Sequence, residues 1–230
     1  MTDNVRPLRI RSIGSGWGGA IADRLNVRDL ECLELFLATA WEGTAEVYPS
    51  SNLVFRAFEA TPLADVRAVI LGQDPYPNRD HACGLAFSVP TPLPNGVRRP
   101  PSLGRILAEA RREGIQAAPG ATLESWTRHV LLLNSSLTFQ KGGSGSHRAA
   151  WQPFTEAVIE LLVETSDAVF LLWGIWAQAF GHRLRIPAER MVCSSHPVAW
   201  GRARPFAGSC PFSRANGFLG PKREIDWNLA

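Results

Sequence analysis

Three observations predict an α/β fold with a short, mainly parallel sheet between two helical layers. Short apolar runs occupy 66–71, 130–134, 168–174 and 190–196. Helical stretches separate them, and strand alternating with helix is the pattern of parallel βαβ units. The runs are near-continuous rather than alternating, as expected of strands covered on both faces. A length of 230 residues fits a single domain, 1–230.

Taken in order, Leu8 to Ile13 suggests a short strand. Behind it Gly14, Gly16 and Gly19 satisfy G-x-G-x-x-G, the dinucleotide fingerprint. Two features count against that function. Arg9 and Arg11 interrupt the strand, and an acid about 20 residues on would fall near Glu31–Glu34, inside a helix. The stretch reads instead as a flexible Gly-rich turn. Asp29 to Ala40 places Leu30, Cys32, Leu33, Leu35, Phe36 and Leu37 on a broad helical face. Asn52 to Phe58 is a second helix, opened by Ser50 or Ser51. The first apolar run, Val66–Leu71, is rich in β-branched residues and ends at Gly72. A proline-rich loop spans Pro90 to Pro101, and Ser102 caps a helix to about Glu113. Helices are expected from Trp151 to about Glu164 and from Trp176 to Arg185.

Composition narrows the class. Hydrophobic residues make up 45% of the chain, enough for a sizeable core. A polar N-terminus and the lack of a membrane-length apolar run predict a cytoplasmic protein with no membrane partner. Cys32, Cys83, Cys193 and Cys210 lack Cys-x-x-Cys spacing, which argues against zinc or an iron–sulfur cluster and for buried free thiols. Net charge is +3. Between Gly181 and Arg223, however, eight basic residues stand against one acid, Glu189. That local excess is either a footprint for nucleic acid or a solvated face.

The chemistry gathers at the ends of the runs. The first ends in Gln73-Asp74-Pro75-Tyr76-Pro77, stiffened by two prolines that fix φ and lack a donor. The second ends in Asn134, the third in Trp173-Gly174, the fourth in His196. In a parallel sheet Asp74, Asn134 and His196 converge at the carboxyl edge, where open α/β sheets bind ligands. An asparagine donates and accepts at once, so it can read the edge of a pyrimidine. An aspartate can orient a water or stabilise a cationic sugar. A neutral imidazole can donate to an oxygen that gains charge. Together these groups suit cleavage of an N-glycosidic bond. Singly, each has a plainer role: Asp74 or Asn134 as a cap, His196 as an interior histidine, Phe87 as core.

Several motifs from about Tyr48 onward resemble the family 1 uracil-DNA glycosylases. Gly72-Gln-Asp-Pro-Tyr76 resembles that family's water-activating loop, and Gly84-Leu-Ala-Phe-Ser88 the segment whose phenylalanine stacks on uracil. Pro100-Pro-Ser-Leu103 is similar to the loop that presses on the DNA backbone, and Leu131-Leu-Leu-Asn134 to the uracil-reading segment. Ser195-His-Pro197 is similar to the start of the DNA-penetrating loop, and Cys210-Pro-Phe-Ser-Arg-Ala-Asn216 to the closing segment. The resemblance implies four strands, with Asp74 and His196 catalytic. It implies that Gln73, Tyr76, Phe87 and Asn134 bind uracil, Tyr76 by excluding the thymine methyl. Pro100, Pro101, Ser102 and Pro197 would contact DNA, with Trp200 and Arg202 in place of the family's leucine wedge. It also implies a monomer acting on single- or double-stranded uracil-containing DNA without metal or cofactor. The chain departs from the family at Pro77, where histidine is usual, and after Pro197, where Val198-Ala-Trp-Gly replaces Ser-Pro-Leu-Ser. That change puts contact with the family's proteinaceous DNA-mimic inhibitor in question. The alternatives are a nicotinamide-dependent oxidoreductase built on Gly14–Gly19, or a damage-binding protein without catalysis.

Overall fold

The computed structural model describes residues 9–143, 145–199 and 205–229. Among them are six strands: β1 (Val47–Tyr48), β2 (Ala68–Gly72), β3 (Val130–Asn134), β4 (Phe139–Gln140), β5 (Val169–Trp173) and β6 (Met191–Ser194). The α-helices are α1 (Trp17–Ala22), α2 (Val27–Thr39), α3 (Arg56–Ala60), α4 (Pro101–Arg112), α5 (Arg148–Thr165), α6 (Ile175–Arg183) and α7 (Pro211–Leu219). The expected four-stranded sheet is present and wholly parallel, in the order β3-β2-β5-β6. β1 and β4 form a separate antiparallel pair.

Every residue of β2, β3 and β5 is buried. Each fully buried Val, Leu, Ile or Phe there contributes roughly 1.5–3 kcal/mol. Helices α1 and α2 pack on α5, while α6 and α7 pack on β5. The chain leaves β2 toward β3 on one side. It then returns across β2 to β5 and continues outward to β6. Adjacent strands β2 and β5 therefore send their connections in opposite directions, which opens a crevice at their carboxyl ends.

Several local expectations change. Residues 10–12 form a 3₁₀ turn rather than a strand. The Gly-rich stretch is no flexible turn: Gly16, at φ 85°, begins α1. Trp17 is fully buried there and donates its indole N–H to Thr61 O at 2.8 Å. Gly18, between the fingerprint glycines, is required for close packing, since a Cβ there would lie 2.6 Å from Arg11 O. With no strand before it, the dinucleotide fingerprint has lost its context. Helix α2 begins at Val27, capped by Asn26, whose side chain accepts from Asp29 N. Its apolar face is narrower than expected: Leu33 and Leu37 are buried, but Leu35 is 68% exposed and Cys32 is exposed. The four cysteines are free, yet only Cys83 is buried. The helix expected from Asn52 is a 3₁₀ turn at Ser51–Leu53 followed by α3, with no side-chain cap.

Candidate active site

The crevice is a cavity of about 510 Å³, well within the range of small-ligand pockets. Gln73, Asp74 and Tyr76 line it from the loop after β2, and Asn134 from the end of β3. Trp173, Gly174 and Trp176 reach it from the β5–α6 junction, and His196 from beyond β6. Phe87 and Ser102 also line it.

Sheet register brings these groups together. Gly72 pairs directly with Asn134 across β2 and β3. A Cβ on Gly72 would stand 2.2 Å from Asn134 Oδ1, so the carboxamide occupies space that only glycine leaves open. The loops beyond are tied: Ser136 N donates to Gln73 O at 3.0 Å, and Ser135 Oγ to the same oxygen at 2.8 Å. Pro75 and Pro77 stiffen the rest of the loop.

Tyr76 is held at two points. Its hydroxyl lies 3.1 Å from Phe87 O and 2.8 Å from Ser102 Oγ. Burial raises its pKa to about 12, so it stays a phenol. Ser102 is therefore not the cap of α4. Pro100 holds the N-cap position, Pro101 is the first helical residue, and the serine hydroxyl locks Tyr76. Phe87 adopts φ 60°, a costly conformation for a non-glycine residue. Its ring sits 5.4 Å from Trp173 and 5.7 Å from His196, both tilted. Gly84 permits the turn before it, because a Cβ there would meet Leu53 O at 2.0 Å.

His196 accepts a 3.3 Å hydrogen bond from Val198 N at Nδ1. That contact assigns the proton of the neutral ring to Nε2. Burial lowers the His196 pKa, which favours the neutral form. Gly174, at φ 99° and ψ 161°, lets the chain pass close by; a Cβ there would be 3.1 Å from His196 Cβ. Asp74 has its pKa raised, first by desolvation, against the opposing charge of Arg148 and a hydrogen bond from Gln73.

Pro100, Ser102 and Pro197 are largely buried, whereas Pro101 is exposed. Trp200 and Arg202 lie outside the described residues. Much of the basic excess at 181–223 has structural partners. Arg190 donates to the carbonyls of Ala168, Val163 and Leu162. Arg183 pairs with Glu156, and Arg223 with Asp167. Two site residues carry no signal in the sequence: Ile175, 70% exposed at the pocket rim, and Arg148 beside Asp74.

The Uracil DNA glycosylase superfamily model matches residues 58–219. The chain belongs to that superfamily. Curated uracil-DNA glycosylases agree along its length. That of Azotobacter vinelandii is 38% identical over 227 residues, covering 96% of each chain. That of Pseudomonas aeruginosa is 38% identical and covers 100% of this chain and 99% of its own. Among solved structures, mimivirus uracil-DNA glycosylase superposes with a TM-score of 0.74 at 25% identity, covering 91% of this chain and 89% of that one. A mimivirus UNG variant in complex with UGI gives 0.75 at 26% identity, covering 90% and 85%. The superfamily match includes the loop after β2, the Phe87 turn, Asn134 and His196, so every group that lines the glycosylase crevice from these segments falls within it.

Proposed function

We propose that this chain is a monofunctional uracil-DNA glycosylase of family 1, acting as one domain to start base-excision repair. The observation that carries the proposal is the set Asp74, Asn134 and His196 around one cavity also lined by Tyr76 and Phe87. The target nucleotide leaves the DNA stack to reach such a pocket. Phe87 stacks on the base, and Asn134 offers one donor and one acceptor to its edge. Tyr76, fixed by Phe87 O and Ser102, blocks a 5-methyl group. As the N1–C1′ bond breaks, the sugar gains positive charge and the base gains negative charge. Asp74 stabilises the sugar and orients water; Nε2–H of His196 donates to the base oxygen. Among the described residues the pocket presents no lysine, so a Schiff-base lyase step has no nucleophile there. In this scheme Pro101, with Trp200 and Arg202, meets the DNA, Trp200 filling the gap left by the flipped base.

The test is direct. A uracil-containing oligonucleotide is incubated with the protein in EDTA and then treated with alkali. Strand cleavage at the uracil position is expected; an intact strand rejects the proposal. Tight binding of that oligonucleotide without cleavage would favour a damage-binding protein instead.

Pocket selectivity gives a second expectation. Asn134→Asp replaces a donor with a second acceptor, so it should weaken uracil excision and alter base choice. Tyr76→Ala should admit thymine. Oligonucleotides carrying T:A and C:G pairs read both effects. The assignment fails if Asn134→Asp excises uracil normally and neither variant gains activity on thymine or cytosine.

A further inference from the structure

Asp74 has an uncommon problem for a carboxylate meant to work as an anion. It is largely buried, and the residues on either side of Tyr76 in its own loop, Pro75 and Pro77, offer no N–H donor. Gln73 supplies one side-chain hydrogen bond, and the compensating charge comes from a distant part of the chain. Arg148 is the first residue of α5, and its Nη2 lies 3.8 Å from Asp74 Oδ2. That separation is too long for a hydrogen bond. It gives an ion pair that adds no hydrogen bond, so beyond the one from Gln73 the carboxylate keeps capacity to accept from water.

The surroundings fit a placed guanidinium. Gly145, at φ 73°, sits beneath it: a Cβ there would be 3.1 Å from Arg148 Nη2. The turn before α5 is fixed. Thr138 Oγ1 lies 2.9 Å from His147 Nδ1 and accepts from Trp151 Nε1 at 2.7 Å, while Thr155 Oγ1 donates to Ser135 O at 2.8 Å. Arg148 Nε is buried and has no hydrogen-bond partner among the described residues. Arg148 also lines a second cavity of about 210 Å³ with Gln152, Trp176 and Arg183. The other guanidinium there is already paired with Glu156.

We propose that Arg148 is a positioning residue for the reaction, holding Asp74 ionised across an open ion pair so that its oxygens stay available to water and sugar. The role presupposes the glycosylase activity proposed above. Desolvation pushes the Asp74 carboxyl up and Arg148 pulls it down. The other titratable groups on the pocket wall are Tyr76 and Cys83, raised by burial and so uncharged, and His196, lowered by burial and so neutral. None of these replaces the lost cation.

Without Arg148 the Asp74 pKa climbs further, and base release is lost at higher pH as the solution is acidified. An opposite charge within 4–6 Å is worth about 1–3 pKa units. Single-turnover release from a single-stranded uracil oligonucleotide, measured across pH, should show the acid limb of Arg148→Met displaced upward by about one unit or more. At a pH on that limb this is about tenfold slower or worse. Arg148→Lys should restore most of the limb. In an Asp74→Asn background, Arg148→Met should cost nothing further. Arg148→Gln serves if the methionine variant does not fold. An unmoved limb, or an equal loss at every pH, overturns the role. Wild-type protein that releases no uracil overturns instead the glycosylase activity, so the two failures are distinguishable.

Discussion

Asp74→Asn is expected to slow base release by about 10²–10⁴-fold while DNA binding survives. The substitution keeps the shape of the side chain but removes the charge and turns one acceptor oxygen into an N–H donor. That charge acts on a cationic sugar that exists only in the transition state, so its loss should appear in kcat rather than in affinity. Asp74 sits on a loop that two prolines and the Ser135 and Ser136 contacts to Gln73 O hold still. Little rearrangement can therefore compensate. Single-turnover excision with a separate binding measurement checks this. A fall of less than about tenfold, roughly 1.4 kcal/mol, counts against Asp74 as a principal catalytic group. In the wild type, desolvation raises the Asp74 pKa, so activity should fall on acidification at a higher pH than for an exposed aspartate. The Asp74→Asn variant should lack that limb.

His196→Ala should cost about 10²–10³-fold in the chemical step, the usual loss for one donor to a developing oxyanion. The neutral ring has its proton assigned to Nε2 by the Val198 N–H contact at Nδ1, and burial favours that neutral form. The loss should be the same on single-stranded and duplex DNA, because it concerns bond breaking. Trp200→Ala provides the contrast. A wedge is needed only where a base must leave a duplex, so this variant should harm duplex substrates far more than single strands. Base–aromatic stacking of about 1–3 kcal/mol sets the scale of that difference. Equal losses on both substrates for Trp200→Ala would reject the wedge in favour of packing under its own loop. Unequal losses for His196→Ala would reject the oxyanion role.

Much of the frame is legible in the sequence because its signals are local. The continuous run at 130–134 gives β3 to the residue and that at 66–71 gives β2 to within two residues, since a strand buried on both faces must be apolar throughout. Parallel pairing then requires the strand ends to share one edge, so the strand pattern places Asp74, Asn134 and His196 at the same end of the sheet. The string from Gly72 to Tyr76 and the Phe87, Asn134 and His196 segments carry the family.

The rest is decided by contacts between distant residues, and periodicity carries no record of those. Ser102 looks like a helix cap in sequence, but Tyr76 claims its hydroxyl. Gly72 looks like a strand terminator, yet its lack of a Cβ is what admits the Asn134 carboxamide. The glycines at 14–19 match a phosphate motif, but Trp17 is drawn into the core and makes the stretch helical. The arginines at 183, 190 and 223 look like a free basic surface until Glu156, three backbone carbonyls and Asp167 are found beside them. Arg148 is one arginine among many until α5 brings it to Asp74. Residue types and their pattern determine which positions are apolar and which are able to react. Register and helix placement determine which of them meet, because a separation of a few ångströms between residues far apart in the chain depends on the whole core being folded.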